Sequence, residues 1–299
     1  MKRHFIIIIL ILFVSLTVFP DIRELVVEID QLHEAYRHQE IPALIEGSLS
    51  KATTAKEKAE IYWRLARALL YNGDIAEDSG QKKEEILAIF SRAEEAGEQA
   101  IQFDASNPNG YYWKSSAMGR WGQVKGIFDS LAKAKPMQEL LIKAINTDTE
   151  FSKAFQVLGM LYEALPGWPI SFGNADYAVS LARKAVDLHE KEVAAGKKSI
   201  IDYTFYKELA AELYKRNWSA DTRAKEQKKK ASKYNTPRDI LEKNFYFEAM
   251  VNIPDQSDRE EAFALVRMSI AALENKADRT KYEEKDLMKL KELLKKWGG

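Results

Sequence analysis

The residues best able to hold a metal are two histidines in the segment His-Glu-Ala-Tyr-Arg-His at positions 33–38. Two histidines that share a zinc ion on one helix stand four positions apart. At five positions the two rings point about 140° apart around the helix axis. The chain has no cysteine, which excludes zinc thiolates and thiol nucleophiles. We therefore predict no metal site and interpret His33 and His38 as solvated helix residues.

The sequence contains no pattern typical of a catalytic site. The run Ala-Gly-Lys-Lys-Ser at 195–199 resembles the end of a phosphate-binding loop, but it lacks the upstream glycine and a contiguous Gly-Lys-Ser. Adjacent carboxylates, as at Glu94 and Glu95, fall on charged helical faces and are interpreted as solvating charge. We predict a protein that is not an enzyme and carries no cofactor.

The candidate contact residues are aromatic. Tryptophan and tyrosine combine a large apolar area with a hydrogen-bonding tip, which suits them to anchor an interface. Trp168 lies in a segment, 166–173, that is too apolar for a free loop and is expected to fold back on the chain. Whether Trp168 belongs to the core or to a contact surface stays open. The candidate partner or ligand contacts are Tyr111, Tyr112, Trp121, Trp168 and Phe172.

Helices must position these residues. The 299 residues include only 14 glycines and 8 prolines, and no stretch alternates long enough for a strand. Apolar residues recur instead at helical spacing, as at Leu25, Ile29 and Leu32. We predict an all-α chain of about 12 helices. The predicted segments are 22–38, 56–71, 83–103, 110–125, 136–146, 152–164, 176–194, 201–215, 221–234, 237–251, 259–276 and 283–297.

Helix pairs repeat along the chain. A tetratricopeptide unit consists of two helices. The first carries a bulky anchor residue followed by small residues, and the second carries small residues that let it pack closely. The anchors Trp63, Trp113, Phe155 and Tyr206 stand 50, 42 and 51 residues apart. The extra length is assigned to connections such as 73–81. We predict a tetratricopeptide-like solenoid over 21–299, with a generic helical bundle as the alternative. Its repeats are predicted at about 56–106, 107–150, 151–195 and 201–236, with capping helices at 237–299.

A family resemblance covers about 61–188. The order Ile61-Tyr-Trp-Arg-Leu-Ala-Arg-Ala, Tyr112-Trp-Lys, Gly122 and Leu158-Gly-Met-Leu-Tyr resembles the tetratricopeptide domain of the regulator of microtubule dynamics family. The resemblance implies a helical-repeat domain held near a membrane by an N-terminal segment, with protein partners and, in some members, lipid binding. The chain departs from the family at 166–173, where the family has a longer insertion. A second resemblance, to the exported T-component of TRAP transporters, is based only on the helical-repeat fold class and the predicted export, not on matching residues.

Residues 1–20 are interpreted as a signal peptide or an N-terminal membrane anchor. Lys2 and Arg3 precede a 15-residue apolar stretch, 5–19, which is short for the roughly 20 residues that span a bilayer. Cleavage and retention both stay open, while lipid attachment through a cysteine is excluded. We expect an exported, periplasmic protein, or one anchored to the membrane by this segment.

The charge balance excludes nucleic acid as a partner, and the basic run at 221–233 and the last helix each allow two interpretations. With 45 Lys+Arg against 45 Asp+Glu there is no basic excess for nucleic acid. The basic run at 221–233 is interpreted as a solvated helix face, with an approach to anionic lipid or an acidic partner as the alternative. The last helix, with Leu287, Leu290 and Leu294 on one stripe, is interpreted as a cap, with partner docking as the alternative.

The expected function is non-catalytic binding. The first hypothesis is a scaffold for a protein or peptide partner, in the periplasm or at the membrane. The alternative is a carrier of an apolar small molecule or lipid, which includes an accessory component of a TRAP-type transporter. A polar concave groove would favour the scaffold and a long apolar tunnel the carrier. Whether the chain forms an oligomer stays open.

Overall fold

The fold is all-α in the part of the chain that the computed structural model describes, residues 22–198, 200–236 and 239–298. These ranges contain thirteen α-helices, two short 3-10 helices (Leu49–Lys51 and Phe247–Met250) and no strand, which confirms the predicted class. Residues 1–20, the predicted signal peptide or anchor, lie outside the described residues. The helices are α1 (Ile22–Glu34), α2 (Ile41–Glu46), α3 (Ala55–Asp78), α4 (Lys83–Phe103), α5 (Pro108–Lys125), α6 (Ile127–Thr147), α7 (Ser152–Ala164), α8 (Ala175–Ala194), α9 (Thr204–Arg216), α10 (Ala220–Tyr234), α11 (Ile240–Asn244), α12 (Asp258–Glu274) and α13 (Lys281–Lys296).

Side-chain caps fix where several helices begin. Thr54 starts α3 in a capping box with the glutamate three residues on. Asn174 and Ser219 cap α8 and α10. Each of these caps lies just outside the first turn with an extended backbone, and its side-chain oxygen accepts a bond from the exposed backbone N–H groups.

Consecutive helices pack as pairs: α3 with α4, α5 with α6 and α7 with α8. Glycines set the closest approaches. A Cβ on Gly97 would lie 2.8 Å from the backbone of α5, and one on Gly73 would lie 2.4 Å from the ring of Phe90. Because α3 continues through Gly73 to Asp78, the connection predicted at 73–81 is wrong.

The odd-numbered helices α3, α5, α7 and α9 also lie side by side in chain order. The four predicted anchors are buried between them and their partners: Trp63, Trp113, Phe155 and Tyr206. One continuous apolar core joins α3 to the start of α9. Stacked helix pairs with a shared core are the architecture of a helical-repeat solenoid.

The fourth pair differs from the prediction. Helix α9 packs on α12, and α10 packs instead on the 3-10 helix Phe247–Met250. Ala224 of α10, a small residue of the kind that packs paired helices together, is exposed. The physical reason is polarity, because the buried side chains of α10 are Arg223 and Lys230. These two need carboxylate partners, which α12 and the 3-10 helix supply.

Two further boundaries differ. Helix α6 begins at Ile127, not at Pro136, because Gly126 adopts φ 139 and connects α5 to α6 in a single residue. Pro136 lies inside α6. The helix predicted at 237–251 is divided into α11 and the 3-10 helix Phe247–Met250.

The C-terminal helix returns to the beginning of the described chain. Helix α13 packs on α12, and its Lys285 Nζ lies 2.5 Å from Asp78 Oδ2 at the end of α3. Leu290 of α13 is fully buried, and Trp297 stacks on Tyr214 with ring centroids 4.2 Å apart. Within the described residues, no helix has both the length and the apolar character needed to cross a membrane.

Candidate functional site

One stripe of α3 faces a surface that several other helices share. Arg67, Tyr71 and Asp74 stand at i, i+4 and i+7, which places them on one side of the helix. From α5, Trp113 lies 6.4 Å from the Tyr71 ring and Arg120 Nε lies 2.7 Å from Asp74 Oδ1. We call the surface formed by α1, α3, α5, α7, α9 and α13 around this stripe the inner face.

At one end of the inner face, α1 and α13 meet through an aromatic and imidazole cluster. The Tyr282 hydroxyl lies 2.8 Å from the carbonyl oxygen of His33 and 2.7 Å from Nε2 of His38. The His38 ring stacks on Tyr71 with centroids 4.4 Å apart and planes 9° apart. The Nδ1 atoms of His33 and His38 lie 3.4 Å apart. Because one ring can donate and the other accept, these bonds are satisfied with both imidazoles neutral.

The interpretation of these histidines as solvated helix residues is wrong. Helix α1 ends at Glu34, and Tyr36 at φ 60 turns the chain so that His38 folds back and is fully buried. Burial lowers the pKa of His38 to about 4, and the charges of Arg67 and Lys285 act in the same direction. In the described ranges, no group of three or more potential metal ligands of the His, Cys, Asp and Glu types occurs.

Next to the cluster, a guanidinium pair is anchored from α1. Asp30 accepts hydrogen bonds from Arg64 Nη2 at 2.8 Å and from Arg67 Nη2 at 2.6 Å. These cations hold the pKa of Asp30 below its usual value although burial opposes them. The Nε atom of Arg67 is buried without a hydrogen-bond partner. Arg67 is therefore placed by Asp30 while part of its donor capacity is unused.

Lys153 of α7 is the least satisfied cation on the inner face. Its Nζ lies 5.9 Å from the centre of the Trp113 ring, and no described carboxylate lies within ion-pair distance. Burial lowers the pKa of Lys153, and the charges of Lys198 and Arg67 lower it further against the opposing charge of Asp202. The side chain nevertheless keeps part of its surface exposed. A partly desolvated ammonium that still has accessible surface is suited to receive an anionic group.

The other end of the inner face carries charges of both signs. Lys207 of α9 pairs with Glu208 at 2.9 Å. Burial raises the pKa of Asp286 on α13 to about 6, with Lys207 opposing the shift and Asp202 adding to it. The inner face is thus polar along its length, with cations concentrated around Lys153.

The five predicted contact residues are not brought together. Tyr111 and Tyr112 are buried, and the Tyr111 hydroxyl donates to the carbonyl of residue 105 at 3.1 Å. Burial raises the pKa of Tyr112 to about 12, and the charge of Asp202 acts in the same direction. Trp121 is half-buried beneath Lys133, whose Nζ lies 4.7 Å from the ring centre. The role of these residues as contacts stays a prediction.

The predicted insertion 166–173 has one aromatic residue packed on the core and one exposed to solvent. Phe172 folds back onto the core, with its ring 5.1 Å from that of Tyr162. Trp168 is 90% exposed, so its core interpretation is wrong. The segment is held by a bond from the Gly173 N–H to the Pro166 carbonyl at 3.0 Å, which fixes the turn and leaves Trp168 pointing outwards.

The basic run of α10 is not a simple solvated face. Arg223 and Lys230 join Arg183 and Arg216 in a buried network with four carboxylates. The carboxylates are Asp176, Glu248, Asp258 and Glu261. Four positive groups balance four negative ones, so the network is neutral as a whole and holds α8, α9, α10 and α12 together.

Sequence reasoning missed Lys153, Arg67, Tyr282 and the two histidines as a joint site. Arg67 and Tyr71 share one face of α3, and their spacing of four residues could have predicted this from the sequence. The contribution of Tyr282 has no local signal, because its partner His38 lies 244 residues away in the chain.

Fold and site together define a helical-repeat protein whose inner face is polar and is bordered by both the first and the last described helices. A family model described as Regulator of microtubule dynamics protein 1-3 matches residues 25–164, from α1 to the end of α7. Regulator of microtubule dynamics protein 1 of Bos taurus is 26% identical over 140 residues, which is 47% of this chain and 42% of that relative. The match thus spans less than half of the relative's length.

These matches support the family resemblance, but the family model covers residues 25–164 and not the predicted 61–188. It includes α1, which the predicted span of 61–188 left out, and ends before α8. Neither match bears on the tetratricopeptide assignment or on the transporter T-component, which stay predictions. His33, Arg67, Tyr71 and Lys153 lie within the matched region, and Tyr282 lies outside it.

Proposed function

We propose that the protein is a non-catalytic helical-repeat binding protein that holds a peptide segment of a protein partner on its inner face. The observation that carries the proposal is the Lys153 ammonium, desolvated, partly exposed and without a described carboxylate, above the ring of Trp113. An acidic side chain or terminal carboxylate of the partner would supply the missing charge. The rings of Tyr71 and Trp113 would contribute apolar contact beside it.

The polar character of the inner face favours the scaffold over the carrier. Arg67, Asp74, Lys153 and Lys207 contribute charges along it, whereas an apolar ligand would leave such groups desolvated and unpaired. We further propose that residues 1–20 direct export and that the protein works in the periplasm or attached to the membrane. Cell fractionation followed by N-terminal sequencing of the recovered protein would test this: a chain that starts at residue 1 and is found only in the soluble cytosolic fraction would contradict it.

The partner test places a photoreactive amino acid in the full chain, in its native cells, at Lys198 near the inner face and separately at Glu95 on the outer helix α4. We expect a crosslinked partner from position 198 only. Adding Lys153→Met should abolish that product, and Lys153→Arg should retain it because the positive charge is kept. Equal products from both positions, or no response to Lys153→Met, would contradict the inner-face site.

Two further measurements separate the neighbouring hypotheses. The name of the cattle relative attributes regulation of microtubule dynamics to that protein, so co-sedimentation of the purified chain with polymerised tubulin would show whether such a role extends here; the proposal expects none. Organic extraction of the purified protein followed by mass spectrometry would reveal a carried lipid. A stoichiometric lipid displaced by no peptide would replace the scaffold with the carrier.

A further inference from the structure

Four large apolar side chains are held out in solvent on two turns. Trp168 is 90% exposed and Ile170 is 74% exposed on the α7–α8 connection. Ile127 is 73% exposed and Phe128 is 84% exposed at the start of α6. Single exposed apolar residues are common on protein surfaces, but a group of this size marks an interaction surface.

The two turns lie on the same edge of the solenoid. Helices α6 and α7 pack side by side and are joined by the short connection 148–151, so they run antiparallel, and the start of α6 and the end of α7 point towards the same edge. The hydrogen bond from Gln138 Nε2 to the Tyr162 hydroxyl, 2.7 Å long, sets their register, so that α6 extends about 16 Å beyond Tyr162 on the side where the turn 166–171 follows α7. We call the edge formed by residues 126–128 and 166–171 the apolar edge.

The turns project rather than forming a groove. The Ile170 N–H donates to the Gly167 carbonyl at 3.1 Å, and Phe172 is packed on the core behind the turn. The apolar tips are therefore carried on a fixed base. A protein partner that received them would need matching cavities, whereas a lipid surface accepts projecting apolar tips of any outline.

The charges around the apolar edge complement an anionic surface. No Asp, Glu, Lys or Arg occurs from 164 to 175. Lys125 and Lys135 are exposed and have no ion-pair partner among the described residues. Of the nearby carboxylates, Asp129 is half-buried, Glu163 is paired with Lys215 at 3.1 Å, and Glu139 is exposed one turn beyond Lys135, further from the start of α6. Exposed cations beside apolar tips, with a tryptophan among them, are the combination found at the membrane–water interface.

We propose that the apolar edge docks on the surface of a bilayer containing anionic lipid, with Trp168, Ile170, Ile127 and Phe128 inserted among the headgroups and Lys125 and Lys135 on the phosphates. This contact is separate from the inner face and from the predicted N-terminal anchor. It would orient the solenoid relative to the membrane, because the edge is fixed to the helices.

The chain has no cysteine, so one introduced cysteine labels a single position. The test uses the full chain carrying Ile170→Cys, labelled with an environment-sensitive fluorophore. The matched control carries Asn146→Cys, an exposed site at the opposite end of α6. Vesicles are made of equal parts phosphatidylcholine and phosphatidylglycerol, with or without a spin-labelled lipid quencher. Because the fluorophore reports its own position, binding through residues 1–20 does not obscure the result.

We expect the label at 170 to shift to the blue and to be quenched by the spin-labelled lipid, while the label at 146 stays in water. Phe128→Ser should raise the vesicle concentration needed for the shift by about tenfold, and Met268→Ser, a substitution at an exposed apolar site on α12, should leave it unchanged. A label at 170 that stays in water while the chain sediments with vesicles would overturn the proposal. So would burial of the label without vesicles, in a complex whose mass corresponds to two chains.

Discussion

The hydroxyl of Tyr282 lies 2.7 Å from Nε2 of His38 and 2.8 Å from the carbonyl oxygen of His33, joining the last helix to the segment after the first. The same ring contacts Tyr71 with centroids 5.5 Å apart. The two ends of the described fold are therefore held against each other at the inner face. This contact makes the inner face a property of the whole chain and not of one helix pair.

Tyr282→Phe should destabilise the protein by about 1–3 kcal/mol, because it leaves Nε2 of the buried His38 ring without a partner, while the His33 carbonyl oxygen keeps its bond from the Tyr36 N–H. The free energy of unfolding in urea measures the loss. Tyr62→Phe is the matched control, since the Tyr62 hydroxyl makes no hydrogen bond with the described residues and its ring stacks on Phe103. Equal small losses in both variants would show that the Tyr282 hydroxyl adds nothing to the closure.

Stability should fall on acidification below the ordinary pKa of histidine. Burial lowers the pKa of His38 to about 4 from a reference of 6.5, so the unfolded chain binds more protons than the native protein between these values. Stability is fully present above pH 6.5 and is lost as pH falls through about 4, by on the order of 3 kcal/mol. The pH dependence of unfolding across this range should become less steep in His38→Gln, which does not titrate, while His33, whose pKa burial also lowers, keeps part of it. An unchanged pH dependence in that variant would assign the effect to other groups.

The fold was largely predictable from the sequence, and the site was not. Helix α7 has the predicted bounds, 152–164, because its apolar residues keep helical spacing and Leu165-Pro166 ends it. The burial of His33 and His38 is not predictable from helical periodicity, because that pattern continues to His38. In the structure α1 ends at Glu34, and the positive φ of Tyr36 turns the chain back. Local patterns predict helices, but they carry no information on contacts such as Tyr282 with His38. The partners of Arg223 and Lys230 were missed for the same reason.

Glu212→Gln should stabilise the protein, and increasingly so as pH rises. Both carboxyl oxygens of Glu212 are buried without a hydrogen-bond partner, and Oε1 fills the space beside Gly159. Burial raises the pKa of Glu212 well above its usual value, and Glu208 and Glu163 add to the shift. The native protein therefore binds more protons than the unfolded chain, and stability decreases with pH above the unfolded pKa by about 1.4 kcal/mol per unit.

The glutamine variant lacks this titration, so its advantage over the natural protein should vanish near pH 4 and grow as the pH rises towards neutral. Chemical unfolding at several pH values measures it. Glu208→Gln, at a neighbouring and less buried position on α9, is the control and should show a weaker slope. A constant difference between natural protein and Glu212→Gln at all pH values would show that Glu212 is not held protonated by the fold.

Arg216→Met should be strongly destabilising, because Arg216 joins two buried carboxylates. Its guanidinium lies 2.6 Å from Glu248 and 2.8 Å from Asp258, and both acids are almost completely buried. Although burial opposes it, the charges of Arg216, Lys230 and Arg183 hold the pKa of Glu248 well below its usual value. Removing one partner of a buried ion pair costs about 3–5 kcal/mol, since the remaining charge stays desolvated.

Thermal and urea unfolding of Arg216→Met should show this loss, while Lys228→Met on the exposed side of α10 should stay within about 0.5 kcal/mol of the natural protein. Adding Glu248→Gln to Arg216→Met should recover part of the stability, because it removes the net negative charge that Arg216→Met leaves in the network, where Glu248 still pairs with Arg183 and Lys230. Glu248→Gln alone should also destabilise, since Arg183, Arg216 and Lys230 all lose a buried carboxylate partner. If the double variant were less stable than Arg216→Met, the network would hold these helices by packing and hydrogen-bond geometry and not by charge.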